Sequence, residues 1–238
     1  MRSSTSVRVG LSSLGFPFTS RTGVVDHAFR RPGPERRSSI YTSIDMYGAV
    51  AIEDDATLLF SEQLSVNVAL AAYSREYENA TDLLQHVENV SVRWRPIDTI
   101  DIVPFWIRSD VYDDEIGPVY APAGNFAPPT PGRNFTGPQG ATYEGTAINY
   151  SVLSDVVVSD GCMLRGGLFR SLFDDKQDFA NLMQGVTPEG DVARHTLIAD
   201  PASKIASTSG ELRSTHRFAT GDVAHFIHAS LSLSRPRI

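Results

Sequence analysis

Between residues 65 and 112 apolar and polar positions alternate with a period of two, most clearly over Asn89-Val90-Ser91-Val92-Arg93-Trp94-Arg95-Pro96. Val90, Val92 and Trp94 share one face, and Ser91, Arg93 and Arg95 share the other, as in a strand with one face covered. The expectation is that Val90, Val92 and Trp94 point into a core. Arg93 and Arg95 then face solvent, a strand or a subunit. Pro96 has no N–H to donate and ends the ladder.

The same reading predicts strands over residues 46–52 and 56–60, separated by a polar corner at Glu53-Asp54-Asp55. A further strand is expected over 64–71. A short helix over 82–87, capped by Asn79 or Thr81, would link it to the Val90 strand. Residues 97–112 read as a strand bent at Pro104. Strands are expected over 147–153 and 155–158, short helices over 169–173 and 178–183, and a strand over 192–198. Residues 203–210 read as a small-residue loop, and 223–233 as a final strand.

Residues 117–146 break the pattern with Gly117-Pro118, Pro128-Pro129-Thr130-Pro131-Gly132 and Gly137-Pro138-Gln139-Gly140. Tyr120, Phe126, Phe135 and Tyr143 stud this stretch. A long loop with aromatic anchors is read as an interface.

Composition adds a polarity along the chain. The net charge is −7 over 238 residues, which argues against a body devoted to nucleic acid. Seven arginines (Arg2, Arg8, Arg21, Arg30, Arg31, Arg36, Arg37) precede residue 40 against Asp26 and Glu35. Residues 1–39 therefore read as an extended basic arm and residues 40–238 as one β-rich domain. Within the arm, Arg2, Arg8, Arg30, Arg31, Arg36 and Arg37 are the candidates for contacts to a neighbour or a genome. Cys162 is the only cysteine, so no intrachain disulfide forms. No apolar stretch follows Met1 as a signal peptide would, and no run has the length of a membrane-crossing helix. The expectation is a protein away from membranes.

Little catalytic chemistry is visible. Gly161-Cys162-Met163-Leu164-Arg165-Gly166-Gly167 lacks the spacing of a phosphate-binding loop. No serine lies in a nucleophile elbow. Asp110, Asp113, Asp114 and Glu115 could serve hard cations but lack a metal-loop spacing. His225 and His228 would fall on opposite faces of a strand. No catalytic, cofactor or metal residue is assigned.

The basic arm, the Val90-x-Val92-x-Trp94-x-Pro96 strand, the strand running into Asp110–Asp114, the long loop and the 179–197 segment come in a suggestive order. That order resembles the jelly-roll coat proteins of small icosahedral viruses. The resemblance implies an antiparallel β-sandwich of jelly-roll type with a few short helices. It implies a capsid or capsid-associated subunit that self-assembles through its arm and loop, in the virion and, before assembly, in the host cytoplasm. Partners would be its own copies, other virion proteins and, through the arm, nucleic acid without sequence preference. Two alternatives stand beside it. One is a β-sandwich ligand-binding or adaptor protein using Trp94 or Trp106. The other is a hydrolase with an acidic site near Asp110 and Asp113.

Overall fold

A computed structural model of the chain describes residues 2–8, 24–29, 31–76, 81–113, 118–127 and 140–237, without the side chains of 2–8, 24–29, 236 and 237. Its regular elements are all strands. β1 (Arg2–Arg8) and β2 (Val24–Phe29) pair with each other as a separate two-stranded sheet. The main sheet contains β3 (Arg37–Ile44), β4 (Val50–Ser61), β5 (Leu64–Glu76), β6 (Asp82–Trp94) and β7 (Ile100–Asp113). It continues through β9 (Tyr143–Ser159), β10 (Cys162–Val186), β12 (Ser203–Thr220) and β13 (Val223–Arg237). These nine strands lie side by side in chain order, every neighbour antiparallel. Two short strands, β8 (Val119–Pro122) and β11 (Arg194–Asp200), pair with the far end of β10.

The sheet has two unlike ends. At one, consecutive strands are joined by Glu62-Gln63, residues 95–99, Asp160-Gly161 and Gly221-Asp222. Gly221 has φ +62, the left-handed conformation that a two-residue hairpin turn asks of its first residue. Among the described residues the opposite end carries 45–49, 118–127, 140–142 and 187–202. The connections there include β8 and β11.

Several expectations change. Glu53-Asp54-Asp55 lies inside β4 rather than at a corner, and the 82–87 helix is the start of β6. The two helices expected over 169–183 are parts of β10, a strand of 25 residues, and the 203–210 loop is the start of β12. Helical segments were inferred from short apolar clusters whose backbone partners, β9 and β12, are invisible locally; pairing overrides such propensity. Among the described residues there is no helix. The strands expected over 64–71 and 223–233 are present within β5 and β13.

The side chains divide by parity. Cross-strand register places even-numbered residues of β3 to β12 and odd-numbered residues of β13 on one face, and the others on the opposite face, apart from bulges. That opposite face, here the inner face, carries the packed interior: Thr57, Ser65, Asn67, Asn89, Ser91, Val103, Phe105 and Ser151 are buried. One row across it alternates small and large, Ser91–Phe105–Ser151–Phe169–Ser209. The Phe105 and Phe169 rings meet edge to face at 6.2 Å, closing over the serine between them. The Val90 strand is thus turned round from the expectation. Ser91 is 2% exposed, while Trp94 on the supposed core side is 48% exposed.

Asn67 ties β5 to β4 on the inner face. From β5 its Nδ2 donates to Asp55 Oδ2 at 3.1 Å, to Ala56 O at 3.1 Å and to Thr57 Oγ1 at 3.2 Å on β4, and it lies opposite Ser91 on β6. Asn67→Ala should destabilise the protein by about 1–3 kcal/mol, the cost of withdrawing a buried donor from its acceptors. Urea unfolding followed by tryptophan fluorescence checks this, and an unchanged midpoint would contradict it.

Candidate functional site

The inner face near the short-turn end carries a row of charge. Register sets Asp101 of β7 directly opposite Asp155 of β9, Asp155 opposite Arg165 of β10, and Arg165 opposite Arg213 of β12. Facing carboxylates on neighbouring strands repel. Arg31, in the segment before β3, resolves the conflict: Nη1 donates to Asp101 Oδ2 at 3.0 Å and Nη2 to Asp155 Oδ2 at 2.5 Å. Burial works against the charge of Arg31, yet Asp155 and then Asp101 outweigh it and raise its guanidinium above its ordinary range.

Each carboxylate has a second cation. Arg93 approaches Asp101 Oδ2 at 2.7 Å, and Arg165 Nε lies 3.3 Å from Asp155 Oδ1. Arg93 Nη1 also donates to the carbonyl of Pro32 at 3.4 Å, and Pro32 is fully buried. The Arg31-Pro32 pair is therefore plugged onto the sheet. Arg213 pairs with Glu211 at 2.7 Å. A cavity of about 380 Å³ opens over the row, lined by Arg31, Asp155, Arg165, Phe169, Glu211 and Arg213 among others. Four guanidinium groups face three carboxylates, which suits an anionic surface or ligand more than proton transfer.

A second hollow of about 540 Å³ lies at the long-connection end, lined by Tyr41, Glu53, Tyr73 and Arg75 among others. Arg75 sits over the Tyr73 ring, 5.6 Å from its centroid.

The outer face is apolar and exposed. Leu58, Phe60, Leu70, Val90, Trp94, Val152, Leu168, Leu212, Leu231 and Leu233 all lie on it and all are exposed. Toward the long-connection end it turns polar, with Arg108 on Asp110 at 2.7 Å, Lys176 on Glu144 at 2.6 Å and Lys204 on Asp174 at 2.9 Å.

The residues singled out from the sequence are scattered. Arg2 and Arg8 lie in β1 with undescribed side chains, and Arg30 lies outside the described residues. Arg36 reaches the Leu59 carbonyl at 3.5 Å, and Arg37 opens β3 opposite Thr57. Tyr120 is in β8, paired with Met183; Tyr143 opens β9; Phe126 is in the described part of the loop; Phe135 lies outside the described residues. Asp110 and Asp113 are on opposite faces of β7 and do not converge. No group of three or more His, Cys, Asp or Glu among the described residues is placed to hold a metal. Asp101, Asp155, Arg165 and Arg213 were missed. The available signal was a single charge set at alternate positions of an apolar strand, as in Ile100-Asp101-Ile102.

No protein-family model and no curated protein matches the chain. Solved structures do. The Fiu ferric-catecholate import receptor of E. coli K12 superposes with a TM-score of 0.78 at 14% identity, covering 98% of this chain and 39% of its own. The pyoverdine outer membrane receptor FpvA of Pseudomonas aeruginosa PAO1 gives 0.76 at 14%, covering 97% and 35%. BauA, the ferric preacinetobactin receptor of Acinetobacter baumannii, gives 0.72 at 14%, covering 90% and 32%. The fold is a partial β-barrel.

This corrects the coat-protein reading. A jelly roll stacks two sheets joined by Greek-key crossovers, whereas this chain runs as one sequential meander. The solved structures it matches are outer-membrane receptors, so the capsid function, the virion and host-cytoplasm location, the virion and nucleic-acid partners and the exclusion of a membrane all fall. Neither the adaptor nor the hydrolase alternative gains from them. The chain spans about a third of the length of the structures it matches.

Arg31→Ala should destabilise the fold by exposing the Asp101–Asp155 repulsion. Asp155→Asn should cost less in that background than in the wild type. A double-mutant cycle from unfolding midpoints should show coupling of about 0.5–3 kcal/mol, and strict additivity would rule out the bridge.

Proposed function

We propose that this chain forms an arc of an outer-membrane β-barrel receptor that takes up iron chelates. The observation that carries the reading is the inversion of the sheet, with its apolar side chains on the exposed face and its polar and charged ones on the covered face. In water that arrangement is unfavourable for every exposed leucine and valine. In a bilayer the apolar face meets lipid and the polar face lines a lumen.

The apolar band supports it. On β5 the outer positions stay apolar from Leu64 to Ala72 and turn polar at Ser74. On β13 the change comes at Arg235, which register carries through Thr208, Arg170, Tyr150, Trp106 and Val90 to Val68 of β5. The apolar stretch thus ends six residues further from the short turns on β5 than on β13, and on β6 and β7 the outer positions turn polar at Glu88 and Arg108. Asp54 interrupts the band on β4. The short turns at one end and the long connections at the other match periplasmic and external sides. Phe60, Trp94 and Phe218 lie on the outer face near the short turns, as interfacial aromatics do.

The iron-chelate cargo is carried over from what the matched receptors are said to bind, and the Tyr41–Tyr73–Arg75 hollow at the external end is where we place contact. Both tryptophans lie on the outer face, so their emission reports insertion directly. In phosphatidylcholine vesicles, chains brominated at the acyl tails should quench most of it; emission unaffected by bromine would overturn the membrane reading. Tyr73→Ala with Arg75→Ala should weaken binding of a ferric-catecholate chelate about tenfold in calorimetric titration of the detergent-solubilised protein. Equal affinity in the variant would remove the hollow from the cargo path.

A further inference from the structure

The charge row of the inner face is saturated at one end and open at the other. Arg93 donates from Nε and Nη2 to Asp101 and from Nη1 to the Pro32 carbonyl. Arg31 commits both terminal nitrogens, to Asp101 and to Asp155. At the other end Arg165 meets Asp155 through Nε alone, at 3.3 Å. Arg213 gives Nε and Nη2 to a single oxygen, Glu211 Oε1. Among the described residues, Arg165 Nη1 and Nη2 and Arg213 Nη1 meet no acceptor.

Register also sets Arg165 and Arg213 directly opposite each other, where like charges repel. The facing aspartates of the same row are relieved by Arg31 between them. The facing arginines have no carboxylate bridging them among the described residues. The cavity of about 380 Å³ opens over this unsaturated end. Its lining holds three guanidinium groups, of Arg31, Arg165 and Arg213, against the carboxylates of Asp155 and Glu211, a net charge of one positive. Beside the arginines lies an apolar wall. Leu153 is opposite Gly167, and the Phe169 ring folds back over Gly167, its Cε2 2.9 Å from where a Cβ would stand.

We propose that this cavity binds a small monocarboxylate with an apolar body. Its two oxygens bridge Arg165 and Arg213, relieving their repulsion as Arg31 relieves that of the aspartates. Its apolar part lies against Leu153 and Phe169. One net positive charge matches one carboxylate. A dianion brings a second charge that Asp155 and Glu211 repel, and a neutral amide leaves the facing arginines unrelieved. The site lies at the short-turn end, away from the Tyr41–Tyr73–Arg75 hollow, and does not rest on the membrane reading.

Hexanoate is the probe, titrated into the detergent-solubilised full chain and followed by ligand-observed NMR. Wild type should bind it, and hexanoate should raise the urea midpoint of the wild type. Arg165→Gln with Arg213→Gln should weaken binding about thirtyfold and remove the midpoint shift. Arg165→Lys with Arg213→Lys keeps both charges, and keeps the result readable where the glutamine pair does not fold. It should bind about tenfold more weakly, since an ammonium lacks the planar fork. Arg170→Gln with Arg217→Gln removes the same charge from the outer face and from beside the Phe226 ring, and should bind as wild type does. Acetate should bind at least about tenfold more weakly than hexanoate, having lost the apolar body. Hexanamide and phosphate should compete poorly. No binding of hexanoate by cooperatively folded wild type, or equal affinity in the wild type and either Arg165–Arg213 variant, overturns the site. Tryptophan quenching by brominated lipid tests the membrane reading on its own, so either conclusion can fail while the other stands.

Discussion

The whole molecule depends on the unbroken antiparallel ladder from β3 to β13. It satisfies the backbone donors and acceptors of each interior strand within the sheet, and it fixes parity. Because side chains alternate with a period of two, slipping any strand by one residue would exchange its faces. Leucines would turn inward against the charge row, and Asp101 or Arg93 outward among Leu168 and Leu212. The ladder therefore specifies in one stroke which surface is apolar and which is polar. Bilayer hydrocarbon demands the same of any spanning structure, since it offers no water to an unpaired peptide group.

The charge row shows what such a sheet can hold on its inner side. Asp101 and Asp155 face each other across a ladder, a contact a two-stranded hairpin would not tolerate. It survives because Arg31 spans both and Arg93 and Arg165 flank them. The cations come from the segment before β3 and from strands β6 and β10, so the row links parts of the chain far apart in sequence. Arg31 and Arg93 are also the groups that hold Pro32 against the sheet. The segment preceding the meander is in this way clasped to its inner face at the short-turn end.

Period-two alternation around Val90, Val92 and Trp94 was legible in the sequence, and so were strands such as β5 and β13. What alternation cannot carry is the side. An apolar stripe packs inward in water and outward in lipid, and the two cases are identical residue by residue. Reading Trp94 as core followed from assuming water, whereas the coat-protein likeness rested on the order of the elements and on the Val90–Pro96 pattern. The long strands were lost for a different reason. Gly166, Gly167, Gly210 and the Asp174-Asp175 pair look like turns in isolation, yet in the sheet each has a ladder partner on both sides. The charge row was invisible because its members are 54 residues apart between Asp101 and Asp155, and only the register of β7 on β9 joins them.

The edges of the sheet carry the last consequence. β3 and β13 are the first and ninth strands of an antiparallel meander, so they point the same way. Any antiparallel ladder that joins one edge to the other must then contain an odd number of strands. Direct pairing of β13 with the β3 of a second copy about the barrel axis would make a parallel seam. A two-fold axis across the barrel would keep the pairing antiparallel but send the short turns of the two copies to opposite sides of the membrane. Edge groups left unpaired in lipid cost several kcal/mol each. In the barrel proposed above, the parity of the meander therefore weighs against closure by a second copy of this one.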